Sequence, residues 1–151
     1  MISRKGKYAV RAALYLAQRY GNGVTPIAEI ATAEKISRKF LESILLTLKN
    51  EGILKSTRGK GGGYTLQEPP DQITIGRIIR LVEGPLAPVS CVSRSGYRPC
   101  PECPDEAACP IRLVMKGVRD AISQVLDQKT LASLAVEIQQ PRPADWFMVG
   151  I

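Results

Sequence analysis

Four cysteines, Cys91, Cys100, Cys103 and Cys109, stand in one stretch with the spacing C-x8-C-x2-C-x5-C. Thiolates are soft ligands, suited to iron–sulfur clusters of the 2Fe–2S or 4Fe–4S type and to zinc. The pair Cys100-Pro-Glu-Cys103 lets two sulfurs converge on one centre, while Pro99, Pro101, Pro104 and Pro110 stiffen the chain around them. There is no histidine, so a mixed Cys/His centre cannot be built from this chain alone. The donor set is four thiols with the carboxylates of Glu102, Asp105 and Glu106 nearby. The spacing lacks the two separated CxxC pairs of a zinc ribbon, so a cluster is the first expectation and zinc the alternative. Reactive or structural thiols are the remaining reading, and oxidation would allow two disulfides in three conceivable pairings. Without a histidine base a Cys-His nucleophile is ruled out. No nucleotide loop or catalytic pair is visible either, and an enzyme is not expected.

A second set of residues has chemistry for nucleic acid. Ser37, Arg38, Lys39, Glu42 and Ser43 open a helical stretch; Arg58 and Lys60 alternate with Gly59 and Gly61. Arg and Lys can donate to guanine acceptors or to phosphates, and Glu can accept from the cytosine amino group. An arginine among glycines suits a narrow, electronegative minor groove, with Lys60 on the backbone. Ser3, Arg4, Lys5 and Lys7 are expected to hold phosphates, which positions a protein without specifying sequence. Taken singly, each is an ordinary solvated charge. The ordered combination points to DNA.

The distribution of charge agrees. The formal net charge is +7, from 21 Lys and Arg against 14 Asp and Glu. Residues 1–70 hold 12 basic and 5 acidic side chains, and residues 71–151 hold 9 of each. All the excess therefore lies in the first half, where it would attract phosphate-rich partners. No run of about 18 apolar residues exists, which excludes a spanning helix, and the charged start lacks a signal-peptide core. A cytoplasmic, membrane-free protein is expected, and in that reducing compartment clustered thiols suggest metal or redox chemistry.

The elements that must position these residues follow from periodicity. Lys5 to Tyr20 reads as a helix with Tyr8, Ala12, Leu16 and Tyr20 on one stripe, stopped by Gly21 and Gly23. Thr25 is expected to cap a second helix, about 26–34, with Pro26 at its first position. Ser37 should cap a third, through Asn50, with Phe40, Leu41, Ile44, Leu45 and Leu48 facing inward and Gly52 closing it. Strands at 53–56 and 64–66 flank the glycine-rich tip. A fourth helix is expected over 74–83, and a long one over 110–127 with Ile111, Val114, Met115, Val118, Ile122, Val125 and Leu126 as its stripe. A short helix at 131–138 precedes a loose tail containing Trp146 and Phe147. The order is that of a winged helix-turn-helix. The expected fold class is mainly α with a small β-wing, followed by a long C-terminal dimerisation helix. The expected organisation is a DNA-binding unit over 1–83, a cysteine-rich sensor loop over 84–109, dimerisation helices over 110–138 and a tail over 139–151.

The stretches KGKYAVRAALYLA, SRKFLESILLTLKNEGIL, KSTRGKGGGYTL and ITIGRIIRLVEGPLAPVSC resemble the Rrf2 family of winged-helix regulators. The likeness covers about residues 1–130, and the RGKGGGY wing is its most specific part. It implies a homodimer whose long helix crosses its partner, and hence a palindromic double-stranded operator. Members that sense iron–sulfur status, nitric oxide or redox state carry three cysteines before the long helix, matched here by Cys91, Cys103 and Cys109. One such branch adds a histidine three residues after the last cysteine, where this chain has Arg112; another adds an aspartate in the first helix, which has none here. Cys100 could supply the missing ligand. Other members bind no cluster and answer to a protein effector. The resemblance therefore implies a DNA-binding regulator, sensing through a Cys-ligated cluster or controlled instead by zinc, thiol oxidation or a protein partner. A redox protein or metal carrier with a basic face is the remote alternative.

Overall fold

The computed structural model describes residues 2–140. It contains α1 (Arg4–Ala17), α2 (Ile27–Glu34), α3 (Arg38–Asn50), β1 (Leu54–Thr57), β2 (Gly63–Leu66), α4 (Ile75–Glu83), α5 (Pro110–Gln128) and α6 (Leu131–Glu137). A short 3-10 turn, Ser90–Val92, interrupts the loop between α4 and α5. This is the expected class, mainly helical with a two-stranded antiparallel wing. The tail beyond Gln140, with Trp146 and Phe147, lies outside the described residues.

The core gathers around α1, whose Ala9, Ala12, Ala13 and Leu16 are buried. Three alanines on the buried face let neighbouring backbones come close, and α1 touches α2, α3, α4, α6 and β2. From α3 come Leu41, Ile44, Leu45 and Leu48, all fully buried. From α4 come Ile75, Ile78 and Ile79, and Leu131 of α6 closes the cluster. Phe40 is only half-buried and stands edge-on to Tyr8, with ring centroids 5.8 Å apart.

Three local expectations are corrected. Tyr20 does not extend the α1 stripe: the helix ends at Ala17, residues 18–20 form tighter turns, and Tyr20 is exposed. Thr25 does not cap α2, because Pro26 occupies the N-cap position. Thr25 is buried instead and exchanges two backbone hydrogen bonds of 2.9 Å with Tyr64, fastening the wing to the helical unit. Ser37 does stand at the N-cap of α3, but its side chain makes no capping bond, so its hydroxyl stays available. Lys35, in the left-handed conformation at φ 53°, turns the chain between α2 and α3.

The wing pairs Leu54 with Leu66, Lys55 with Thr65, Ser56 with Tyr64 and Thr57 with Gly63. β1 lies one residue later than expected, at 54–57, and β2 starts one residue earlier, at Gly63, which pairs with Thr57. A Cβ at position 63 would fall far inside the contact distance of the Thr25 carbonyl oxygen. Glycine is needed there for close approach rather than for an unusual backbone angle.

α5 is differently placed. None of its residues is buried, and on its apolar stripe Val114 and Val125 are 58% and 61% exposed. Arg80 on α4 holds the Asp127 carboxylate with both terminal guanidinium nitrogens, in the space left by Gly76. The Ile75 amide donates to the Lys129 carbonyl (2.8 Å) and the Leu131 amide to the Ile73 carbonyl (2.9 Å), tying the α5–α6 junction to the start of α4.

Gly63→Ala forces the Thr25–Tyr64 bridge apart and should destabilise the fold by about 1–3 kcal/mol, as overpacking typically does. A urea titration checks this, and an unchanged midpoint would show that the wing is not fastened at that point.

Candidate nucleic-acid interface and thiol site

With four leucine and isoleucine side chains of α3 in the core, the opposite face of that helix meets solvent. Ser37, Arg38, Lys39, Glu42 and Ser43 are all exposed there. Arg38 Nε lies 3.4 Å from Glu42 Oε1, one turn along, with both side chains more than half exposed. Such a pair contributes below about 1 kcal/mol and exchanges readily for base contacts. The Ser43 hydroxyl donates to the Phe40 carbonyl (2.7 Å), which leaves its oxygen free to accept. Beside the start of α3, a cavity of about 330 Å³ is lined by Arg4, Tyr8, Lys35, Ile36, Ser37 and Phe40. The sequence reading missed Lys35 and Tyr8 in this group. The break at Lys35-Ile36 was the available signal, since a turn aims its side chains beside the helix it introduces.

At the wing tip Arg58, Gly59, Lys60 and Gly61 are exposed, and Gly59 and Gly61 take φ of 96° and 81°, values that only glycine adopts freely. The Gly62 amide closes the tip onto the Gly59 carbonyl at 2.9 Å. Ser3 sits at the N-cap of α1, accepting from the Gly6 amide (3.2 Å) and donating its hydroxyl to Glu83. Its hydroxyl proton is thus already engaged, whereas Arg4 and Lys7 are exposed and Lys5 is half-buried.

The ion pairs divide the molecule. In the second half Arg77, Arg80, Arg94, Arg112, Arg119 and Lys129 each pair with a carboxylate. In the first half Arg4, Lys5, Lys7, Lys35, Lys39, Arg58 and Lys60 make no ion pair among the described residues. Arg98 and Lys116 in the second half, and Lys49 and Lys55 in the first, also make none, but the excess of positive over negative charge lies in the first half and gathers at the α1 start, the head of α3 and the wing.

The four thiols form the other site. Cys91, Cys100, Cys103 and Cys109 all line one cavity of about 660 Å³ between the loop and the first turn of α5. Cys91 is buried in the 3-10 turn, and the other three are half-buried. Cys109 is the N-cap of α5 and accepts from the Arg112 amide (3.5 Å). That bond, the neighbouring Cys103 thiol and the Arg112 charge favour the Cys109 thiolate, lowering its pKa. The Cys103 pKa is raised, by burial first and then by the neighbouring Cys109. Two arginines of α5, missed by the sequence reading, brace the turn from seven residues apart. Arg112 Nε donates to the Cys91 carbonyl (3.3 Å) and pairs with Glu106, and Arg119 donates to the Val92 carbonyl (2.7 Å).

The donor chemistry fits an iron–sulfur cluster, since four thiols share one cavity and no other ligand type is required. The Cys103 thiol donates to the Asp105 carbonyl (3.3 Å) and has Cys109 as a neighbour. Among the described residues no three thiols or carboxylates are gathered closely enough to hold a metal ion.

The sequence pattern that defines Rrf2, described as an iron-dependent transcriptional regulator, matches residues 2–137. The chain belongs to the Rrf2 family. It is 42% identical to the rrf2-like HTH-type transcriptional regulator of Rhodobacter capsulatus, over 89% of this chain and 91% of that one. Among solved structures, CymR of B. subtilis, titled the global cysteine regulator of that organism, is 38% identical with a TM-score of 0.76, covering 91% of this chain and 97% of CymR. IscR of T. potens is 30% identical with a TM-score of 0.73, covering 99% of this chain and 96% of IscR. This Rrf2 protein is thus a transcriptional regulator by family, and no described helix is long and apolar enough to cross a membrane.

Because Cys91 is held under the Arg119 contact, it should be the slowest of the four thiols to react with a maleimide under reducing conditions. Arg119→Ala should speed its labelling several-fold while leaving Cys100 unchanged, as read by mass spectrometry. Equal labelling in both proteins would mean that Arg119 does not hold the turn.

Proposed function

We propose that this Rrf2 regulator binds a palindromic operator as a homodimer and that chemistry at the four-thiol cavity sets its grip on DNA. The observation that carries the DNA half is the clustering of exposed basic side chains without an acidic partner at the α1 start, the head of α3 and the wing, in the half of the chain that holds all the excess positive charge. In this reading α3 enters the major groove with Ser37, Arg38, Lys39, Glu42 and Ser43 at base edges. Arg58 enters the minor groove between Gly59 and Gly61, and Lys60, Arg4, Lys5 and Lys7 hold phosphates. Ser3 contributes through its place at the head of α1. The uncovered apolar stripe of α5 supports a second copy as its partner, which would place two α3 helices about one helical turn of DNA apart.

For the sensing half, Cys91, Cys103 and Cys109, with Cys100, would hold an iron–sulfur cluster. Such a cluster supplies one-electron chemistry at sulfur-bound iron. The chain's own part is to present thiolate at Cys109 through the Arg112 amide and to close the 3-10 turn over the cavity. The cavity's position supports a regulatory role, because its wall is the first turn of the helix whose open face would meet the partner.

Two experiments separate the halves. Anaerobic purification from cluster-competent cells should give a coloured protein containing iron and sulfide, and Cys103→Ala should lose both while keeping its fold. A colourless, iron-free wild type would overturn the cluster reading. It would favour control by oxidation of the thiols around the cavity. Arg58→Ala should weaken operator binding by about 1–3 kcal/mol, with the loss of specificity confined to one minor-groove position. Equal loss on every sequence would reduce Arg58 to a phosphate contact.

A further inference from the structure

The start of α1 is held by a residue far away in sequence. Glu83, the last residue of α4, accepts from both the Ser3 amide (3.0 Å) and the Ser3 hydroxyl. Ser3 in turn accepts from the Gly6 amide and bonds the Lys7 amide through its carbonyl (3.0 Å). One carboxylate thus anchors the N-cap on which the first turn of α1 is built. That turn contains Arg4, Lys5 and Lys7.

The contact is shaped to fit. Gly6 is buried, and a Cβ there would overlap the Glu83 carboxylate and the Ile2 side chain. A negative charge at a helix N-terminus is favourable in itself. Here, though, it stands among the basic side chains assigned to the phosphates, where it would lower affinity for DNA unless it does something else. Glu83 is also the residue before Gly84, where the chain leaves α4 for the cysteine loop, and it lines an apolar cavity with Ile2, Ile122, Val125 and Leu126.

We propose that Glu83 is a positioning residue for DNA binding. Through Ser3 it fixes the first turn of α1 so that Arg4, Lys5 and Lys7 meet the phosphate backbone, and it links that turn to the start of the cysteine loop. The proposal rests on the reading, given above, that these three side chains face DNA. It deepens that reading by adding a residue that touches no DNA.

The sign of the effect separates this role from plain electrostatics. Removing an acidic group near a DNA-binding face would ordinarily strengthen binding, whereas loss of an anchor weakens it. The probe is a short mixed-sequence duplex, because non-specific binding is dominated by phosphate contacts and needs no known operator. Affinity is measured against salt concentration for the full chain. Lys5→Ala/Lys7→Ala should lower the salt slope by about one for each phosphate no longer neutralised. Glu83→Ala should lower it by about one as well and weaken binding several-fold despite the more positive net charge. Glu83→Gln, which keeps an acceptor oxygen for Ser3, should restore most of the affinity.

Gly6→Ala provides a second variant that folds, since alanine favours the helix and only the side-chain ends of Glu83 and Ile2 must yield. It changes no charge and should reproduce the Glu83→Ala slope. Tighter binding by Glu83→Ala, or unchanged slopes in both Glu83→Ala and Gly6→Ala, would overturn the proposal. If the double lysine variant keeps the wild-type slope, the phosphate reading of the α1 start fails first and the proposal falls with it.

Discussion

Ala9, Ala12 and Ala13 leave α1 with almost no side-chain bulk on its inner face, and the close packing this permits governs the rest of the molecule. Interiors are filled to crystal-like density, so small residues on one helix require neighbours that come near and bring the larger groups. Here those groups are the leucines and isoleucines of α3 and α4. Because α3 must turn Leu41, Ile44, Leu45 and Leu48 toward α1, its other face necessarily presents Arg38, Lys39, Glu42 and Ser43. The same packing holds β2 against α1, and the Thr25–Tyr64 bridge then fixes the wing beside the helix it accompanies.

α5 is the one helix that α1 does not organise. It is joined to the unit through α4, by the Arg80–Asp127 pair and the backbone bonds around Thr130, and its apolar stripe remains open. The thiol cavity lies at its N-terminal end. Arg112 and Arg119, on the same helix, reach back to the loop carbonyls. The thiol loop is therefore tied directly to α5.

Much of this was legible in the sequence. The four-residue recurrence along α1 and α3, the glycines of the wing and the split of charge between the halves located the fold and the expected DNA-facing residues. What escaped was what depends on contacts between distant segments. Thr25 looked like a helix cap because Thr-Pro is a strong local signal, but its backbone was claimed by Tyr64, thirty-nine residues on. Ser37 took the cap position without the bond, and Tyr20 fell off a stripe that ended one turn early. The bracing arginines of α5 read as ordinary helix charges, since nothing in their spacing names a carbonyl in the preceding loop. The cysteines were visible as a set, yet only the fold places all four on one cavity and makes Cys103 a neighbour of Cys109.

The central claim is that the paired α3 faces and wings read a two-fold symmetric DNA site under the control of the thiol loop. The most direct test is selection of genomic DNA bound by the full chain, run in parallel on anaerobically and aerobically prepared protein. The account predicts one inverted-repeat motif with half-sites about a helical turn apart, bound in a salt-dependent manner and with clearly different occupancy in the two preparations. Recovery of no shared motif, or of identical occupancy under both conditions, would contradict it.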